Sequence, residues 1–194
     1  MFLESICIIN GKAQNIDAHK KRMYETASYY GFKAPELPKI EELLTNGIKE
    51  CKVKCRIVYH HEISSISFEK YIPKKIKTLK LVNASPDYSF KFSDRTVLDD
   101  LLKYRNGCDE ILIVRNGFIT DTSYSNVVFN KNGELYTPYH PLLNGTKRQK
   151  LLSEGVIKEA QISVDSIKEF DRVWLINALL DIEDEVSLPV DHIY

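Results

Sequence analysis

The sequence predicts a mixed α/β chain of two lobes, the second richer in strand than the first. Three observations carry this. Apolar residues recur at helical spacing in some stretches and alternate in others. Between Asp109 and Arg148 stand two apolar strand pairs, each closed by an Asn-Gly dipeptide. The run Ala84-Ser85-Pro86-Asp87 interrupts the pattern and serves as a candidate linker. The expected division is a small α+β lobe over 1–84 and a larger β-rich lobe over 85–194.

The elements follow in order. Phe2–Ile9 reads as a strand turned at Asn10-Gly11. Asn15 or Asp17 can cap a helix that runs to about Tyr30, with Met23, Ala27 and Tyr30 on one face, and stops at Gly31. Pro38, Glu41 and Glu42 open a second helix with Ile40, Leu43, Leu44 and Ile48 at helical spacing, weakened by Asn46-Gly47. Lys52–His60 and Ile63–Ile72 are strands about a turn at His61-Glu62, and Ile76–Val82 is another. Beyond the linker, Tyr88–Phe92 is short and extended. Ser93 or Asp94 can cap a helix striped by Val97, Leu98, Leu101 and Leu102. The first hairpin pairs Ile111–Val114 with Phe118–Thr120 through Asn116-Gly117. The second pairs Val127–Phe129 with Leu135–Thr137 through Asn132-Gly133. Asn-Gly suits a type I′ turn because both central residues need positive φ. Asn144-Gly145-Thr146-Lys147-Arg148 reads as a loop opening a helix, where free N–H groups and the helix dipole favour an anion. Strands at Val156–Val164 and Arg172–Ile176 complete the chain.

Composition excludes several classes. At 194 residues, 43% hydrophobic and 28% charged, the chain can bury a sizeable core. Twenty-seven basic against 27 acidic residues leave no basic excess for nucleic acid. No apolar run reaches the length of a membrane span, and MFLESICIIN lacks a basic lead and a cleavage site. A cytoplasmic protein is expected. Cys7, Cys51, Cys55 and Cys108 fit no zinc or disulfide framework and read as reduced buried thiols, so no metal is expected.

One polar stretch is poorly explained by packing. Thr120-Asp121-Thr122-Ser123-Tyr124-Ser125-Asn126 places hydroxyls and a carboxylate between apolar strands. Asp121 there reads equally as a turn-capping residue or as part of a site. With its flanks, Ile119 to Phe129, this stretch resembles the (V/I)-T-E-x-x-x-x-N-(I/L/V)-F run of the class IV aminotransferase family, with one extra residue before Phe129. Gly145-Thr146-Lys147-Arg148 resembles the family's G-I-T-R loop. The resemblance implies a fold-type IV architecture with a pseudo-barrel second lobe, pyridoxal 5′-phosphate (PLP) between the lobes, and a homodimer.

The resemblance also implies roles. By composition Lys91 would be a solvated strand lysine; the family's Schiff-base lysine stands in its place, on a strand ahead of a helix. Burial and a nearby cation would lower its pKa and make the amine nucleophilic. Asp121 would pair with the pyridine nitrogen, with one methylene less reach than the family's glutamate. His19 and Arg22 match an H-x-x-R run whose arginine binds the cofactor phosphate with its planar fork, and His19 reads as structural. Gly145, Thr146 and Lys147 would offer backbone N–H groups to that phosphate. Asn177, Ala178 and Leu179 match the N-A-L run seen in aminodeoxychorismate lyases, lining phosphate and substrate carboxylate. Lys91-Phe92-Ser93-Asp94-Arg95 resembles the K-x-x-N-R run of the same enzymes and brings Arg95 toward substrate. The implied activity is that of a 4-amino-4-deoxychorismate lyase. An aminotransferase of branched-chain or D-amino acids and a non-catalytic PLP-binding relative are the alternatives.

Overall fold

The computed structural model describes residues 1–44 and 51–194. The chain forms two compact units, Met1–Ile72 with Phe90–Asp94, and Pro73–Ser89 with Arg95–Tyr194. These units follow a different division from the one expected at Ala84–Asp87: the chain leaves the first unit at Ile72 and returns to it for residues 90–94.

In the first unit, β1 (Phe2–Ile9) turns at Asn10-Gly11, both with positive φ, into β2 (Lys12–Ala13). Helix α1 (Ile16–Tyr29) follows. Its N-cap is Asn15 in the left-handed region, with no side-chain cap bond, and Asp17 sits in the first turn. Strands β3 (Val53–Tyr59) and β4 (Ile63–Lys70) complete an antiparallel sheet of order β2-β1-β3-β4. Strict alternation along β3 puts Val53, Cys55, Ile57 and Tyr59 on the buried face. Ile6, Ile8 and Ile40 pack with the first three. The expected helix after Pro38 is a 3₁₀ turn, Ile40–Leu43, and Leu44 is already extended; Ile48 lies outside the described residues. Met23 and Ala27 of α1 are buried, whereas Tyr30 is exposed, its ring tilted against Phe2 and edge-on to Phe90.

The second unit holds β5 (Leu79–Asn83), α2 (Thr96–Leu101), β6 (Glu110–Arg115), β7 (Phe118–Thr122), β8 (Asn126–Lys131), β9 (Glu134–Pro138), α3 (Thr146–Ser153), β10 (Lys158–Ala160), β11 (Arg172–Ile176) and β12 (Ser187–Pro189). Its strands form two sheets, β5-β6-β7 and β10-β9-β8-β11-β12. Both expected hairpins are present, and all four turn residues have positive φ. The strand expected from Ile76 begins at Leu79. Asp109 takes the Lys77 and Thr78 N–H groups at 2.8 and 3.1 Å, which holds that backbone out of the ladder. Helix α2 starts after Arg95, not after Ser93 or Asp94. Among the described residues no helix is long and apolar enough to cross a membrane.

Candidate active site

Asp121 owes its position to a bulge. Leu112 of β6 faces Thr122 and Val114 faces Ile119, so β7 carries one extra residue between those pairs. A bulge re-aims the side chains beside it. Thr120 Oγ1 donates to the Ile113 carbonyl at 2.8 Å, and Ile119 through Thr122 are all buried. Asp121 is 5% exposed. Its Oδ1 accepts from Asn126 Nδ2 and its Oδ2 from the Leu143 N–H, both at 2.9 Å. The turn that follows is capped by Thr122, whose Oγ1 accepts from the Ser125 N–H at 3.0 Å. Asp121 thus serves no local cap; its carboxylate joins segments distant in sequence. Burial pushes its carboxyl up to about 6, against the Leu143 and Asn126 hydrogen bonds and the Arg148 charge.

Asn126 connects this carboxylate to the start of α3. Its Nδ2 also donates to the Leu143 carbonyl at 2.8 Å. A Cβ on Gly145 would overlap Asn126 Oδ1 and stand 3.3 Å from its Cγ. Only glycine permits that approach at the residue before α3. Thr146 is buried in the first helical position. The Lys147 side chain does not turn to this end; Nζ pairs with Asp181. Arg148 is buried, reaching Asn144 Oδ1 at 3.0 Å, the Pro138 carbonyl at 2.8 Å and Glu159 at 2.6 Å, so it pins the loop before α3.

Asn177 stands at the end of β11 as the knot of a turn. Its Oδ1 accepts from the Leu179 and Leu180 N–H groups at 2.8 and 3.1 Å, and its Nδ2 donates to Ser125 Oγ at 2.8 Å. Ala178 is half-buried in that turn and Leu179 is buried. Arg95 Nη2 donates to the Ser123 carbonyl at 2.9 Å, and Ser123 Oγ to the buried Glu110 at 3.0 Å. The polar stretch between β7 and β8 therefore gathers Asp121, Asn126, Gly145, Asn177 and Arg95 about itself, all within the second unit.

The first unit holds Lys91 and Arg22. Lys91 is half-buried at the apex of a three-residue turn, since the Phe92 N–H donates to the Phe90 carbonyl at 2.9 Å. The expected strand is reduced to one bridge, Phe2 with Phe92. The Leu3 N–H donates to the Lys91 carbonyl at 2.8 Å. Arg22 is 8% exposed and grips the fully buried Glu4, Nε to Oε1 at 2.8 Å and Nη2 to Oε2 at 2.5 Å. His19 Nδ1 lies 2.5 Å from the same Oε2, the structural role expected of it. Lys91 and Arg22 are tied to consecutive residues of β1. Sequence reasoning passed over Glu4, Glu110 and Ser125; an acidic residue inside an apolar strand run was the available signal for the first two.

Comparison with known proteins adds the decisive observation. The family model described as amino-transferase class IV matches residues 1–183. The chain belongs to the class IV aminotransferase family. A family relative from Haemophilus influenzae, named only as an uncharacterized protein, is 40% identical over 181 residues, 91% of this chain and 96% of its own. The crystal structure of a putative 4-amino-4-deoxychorismate lyase from Haemophilus somnus is similar to this chain, with a TM-score of 0.79 and 34% identity, covering 92% of this chain and 95% of that one. An aminotransferase from Brucella abortus, solved with PLP bound, shares the fold at a TM-score of 0.73 and 20% identity, over 99% of this chain and 80% of its own. Among the described residues no cluster of potential ligands suits a metal ion and no disulfide joins the cysteines; Cys7 and Cys55 are buried, whereas Cys51 and Cys108 are only partly so.

Proposed function

We propose that this protein is a PLP-dependent enzyme with the reaction of a 4-amino-4-deoxychorismate lyase. One observation carries the cofactor reading: Asn126 joins the buried Asp121 carboxylate to the glycine that opens α3. A hydrogen-bond acceptor for a protonated ring nitrogen and a helix start for a phosphate are thereby built as one unit, which suits a phosphorylated pyridine. When bound, PLP supplies an aldehyde that condenses with amines and a ring that withdraws electrons from the adjoining carbon.

The chain's residues divide the remaining work. Asp121 holds the ring N–H and stays anionic against it. Gly145, Thr146 and Lys147 offer backbone N–H groups to the phosphate, and Arg22 adds its guanidinium. The Lys91 amine anchors the cofactor, then takes the proton from the substrate carbon that bears the amine. The substrate's C–O bond to its enolpyruvyl group breaks, the departing enolate takes up the proton and becomes pyruvate, and 4-aminobenzoate leaves. Arg95 and the Ala178–Leu179 turn face the substrate carboxylate. The working unit is a homodimer, which light scattering on the purified protein checks.

Support for lyase over transaminase chemistry comes from Asn177-Ala178-Leu179, the Lys91–Arg95 run and the 34% identical solved relative. The test has two parts. Borohydride reduction of the PLP-loaded protein, followed by peptide mass mapping, should place the adduct on Lys91; an adduct elsewhere, or none, sinks the cofactor reading. Release of 4-aminobenzoate from 4-amino-4-deoxychorismate should follow. If amino acids instead convert the bound cofactor to its amine form without that release, the aminotransferase alternative holds.

A further inference from the structure

Within the first unit one buried carboxylate is not used by the proposed chemistry, yet touches a residue that is. Glu4 is wholly buried, accepts from Arg22 Nε on Oε1 and from Arg22 Nη2 on Oε2, and meets His19 on Oε2. Arginine is long and flexible, and a buried guanidinium without a counter-charge would swing toward water. Two parallel bonds to one carboxylate fix its plane as well as its place. Glu4 is also the neighbour of Leu3, whose N–H holds the Lys91 carbonyl. A single strand thus sets the guanidinium and the lysine backbone relative to each other.

We propose that Glu4 is a positioning residue that aims Arg22 at the phosphate of the cofactor. This rests on the PLP reading above. The competing electrostatic expectation has the opposite sign, because a nearby carboxylate repels a phosphate and its removal would tighten binding. Geometry prevails if the guanidinium, once released, no longer keeps one fixed plane and position.

The experiment compares PLP with pyridoxal, which lacks the phosphate, in absorbance titrations of wild type, Glu4→Gln and Glu4→Asp. Folding of each variant is checked by circular dichroism. Wild type should prefer PLP. Glu4→Gln should lose about tenfold or more in PLP affinity, the scale of one charge-assisted hydrogen bond, with pyridoxal affinity unchanged within about twofold. Glu4→Asp, with the charge but a shorter reach, should fall between the two, and it carries the test alone if Glu4→Gln does not fold. Unchanged preference for PLP overturns the proposal, and so does tighter PLP binding. Equal losses for both ligands make Glu4 merely structural and also overturn it. A wild type that binds neither ligand sinks the PLP reading itself, a result separable from the other three.

Discussion

Glu4 and Arg22 form a two-point ion pair inside the first unit, with His19 on the same carboxylate. Burial alone would push the Glu4 carboxyl up. The Arg22 charge and the His19 and Arg22 hydrogen bonds outweigh it and hold the group at about 2. A depressed carboxylate pKa contributes stability that is present above the unfolded value, 4.5, and lost as pH falls toward 2. The contribution is on the order of 3 kcal/mol. Denaturant melts between pH 5 and pH 2 should show a steeper loss for wild type than for Glu4→Gln. At pH 7, Glu4→Gln should cost about 3–5 kcal/mol, because the guanidinium loses the carboxylate charge that compensates its burial. Adding Arg22→Met should recover part of that loss.

The approach of Gly145 to Asn126 gives a second prediction. Gly145→Ala forces Asn126 away and strains its bonds to Asp121 and the Leu143 carbonyl. The expected cost is about 1–3 kcal/mol of stability, with weakened PLP binding. Because one clash causes both effects, Asn126→Ala should absorb most of the Gly145→Ala penalty. A double-mutant cycle measures this, and strict additivity of the two losses would show that the residues do not interact.

The features read from sequence and those missed differ in the range of the forces that make them. Asn116-Gly117 and Asn132-Gly133 specify their hairpins within four residues, and both turns are present. The start of β5 depends on Asp109, some thirty residues away, which no local pattern reveals. The bulge on β7 also leaves no local mark: four consecutive residues, Ile119 to Thr122, are buried where alternation predicts two faces. Arg22 and Asp121 stand out in the sequence as candidate site residues. Their partners Glu4 and Leu143 depend on tertiary packing.

Asp121 should oppose Glu4 in its pH dependence. Burial raises its carboxyl from 3.8 to about 6. Between those values the folded protein binds the proton that the unfolded chain releases, so this term is fully present below 3.8 and is lost as pH rises through 6. Its size is about 3 kcal/mol. The cofactor-free protein should therefore lose stability relative to Asp121→Asn across this window. Paired melts of the two proteins at pH 4 and pH 7 measure the difference. A cationic ring bound beside the carboxylate should remove this penalty at pH 7 in wild type alone, so PLP should stabilise wild type more than the variant.

Asn177 separates a packing role from a ligand role. Its oxygen holds two turn N–H groups and its nitrogen binds the Ser125 hydroxyl. Asn177→Ala leaves those N–H groups without their acceptor and should cost about 1–3 kcal/mol. Asn177→Asp keeps the acceptor, and the Ser125 hydroxyl is a rotor that can donate instead of accept. That variant should stay within about 1 kcal/mol of wild type near neutral pH. If Asn177 acts only by shaping the turn, PLP affinity will track stability in both variants. A folded Asn177→Asp protein with wild-type stability and much weaker PLP binding would instead show that the amide itself touches the cofactor, with the added charge repelling the phosphate.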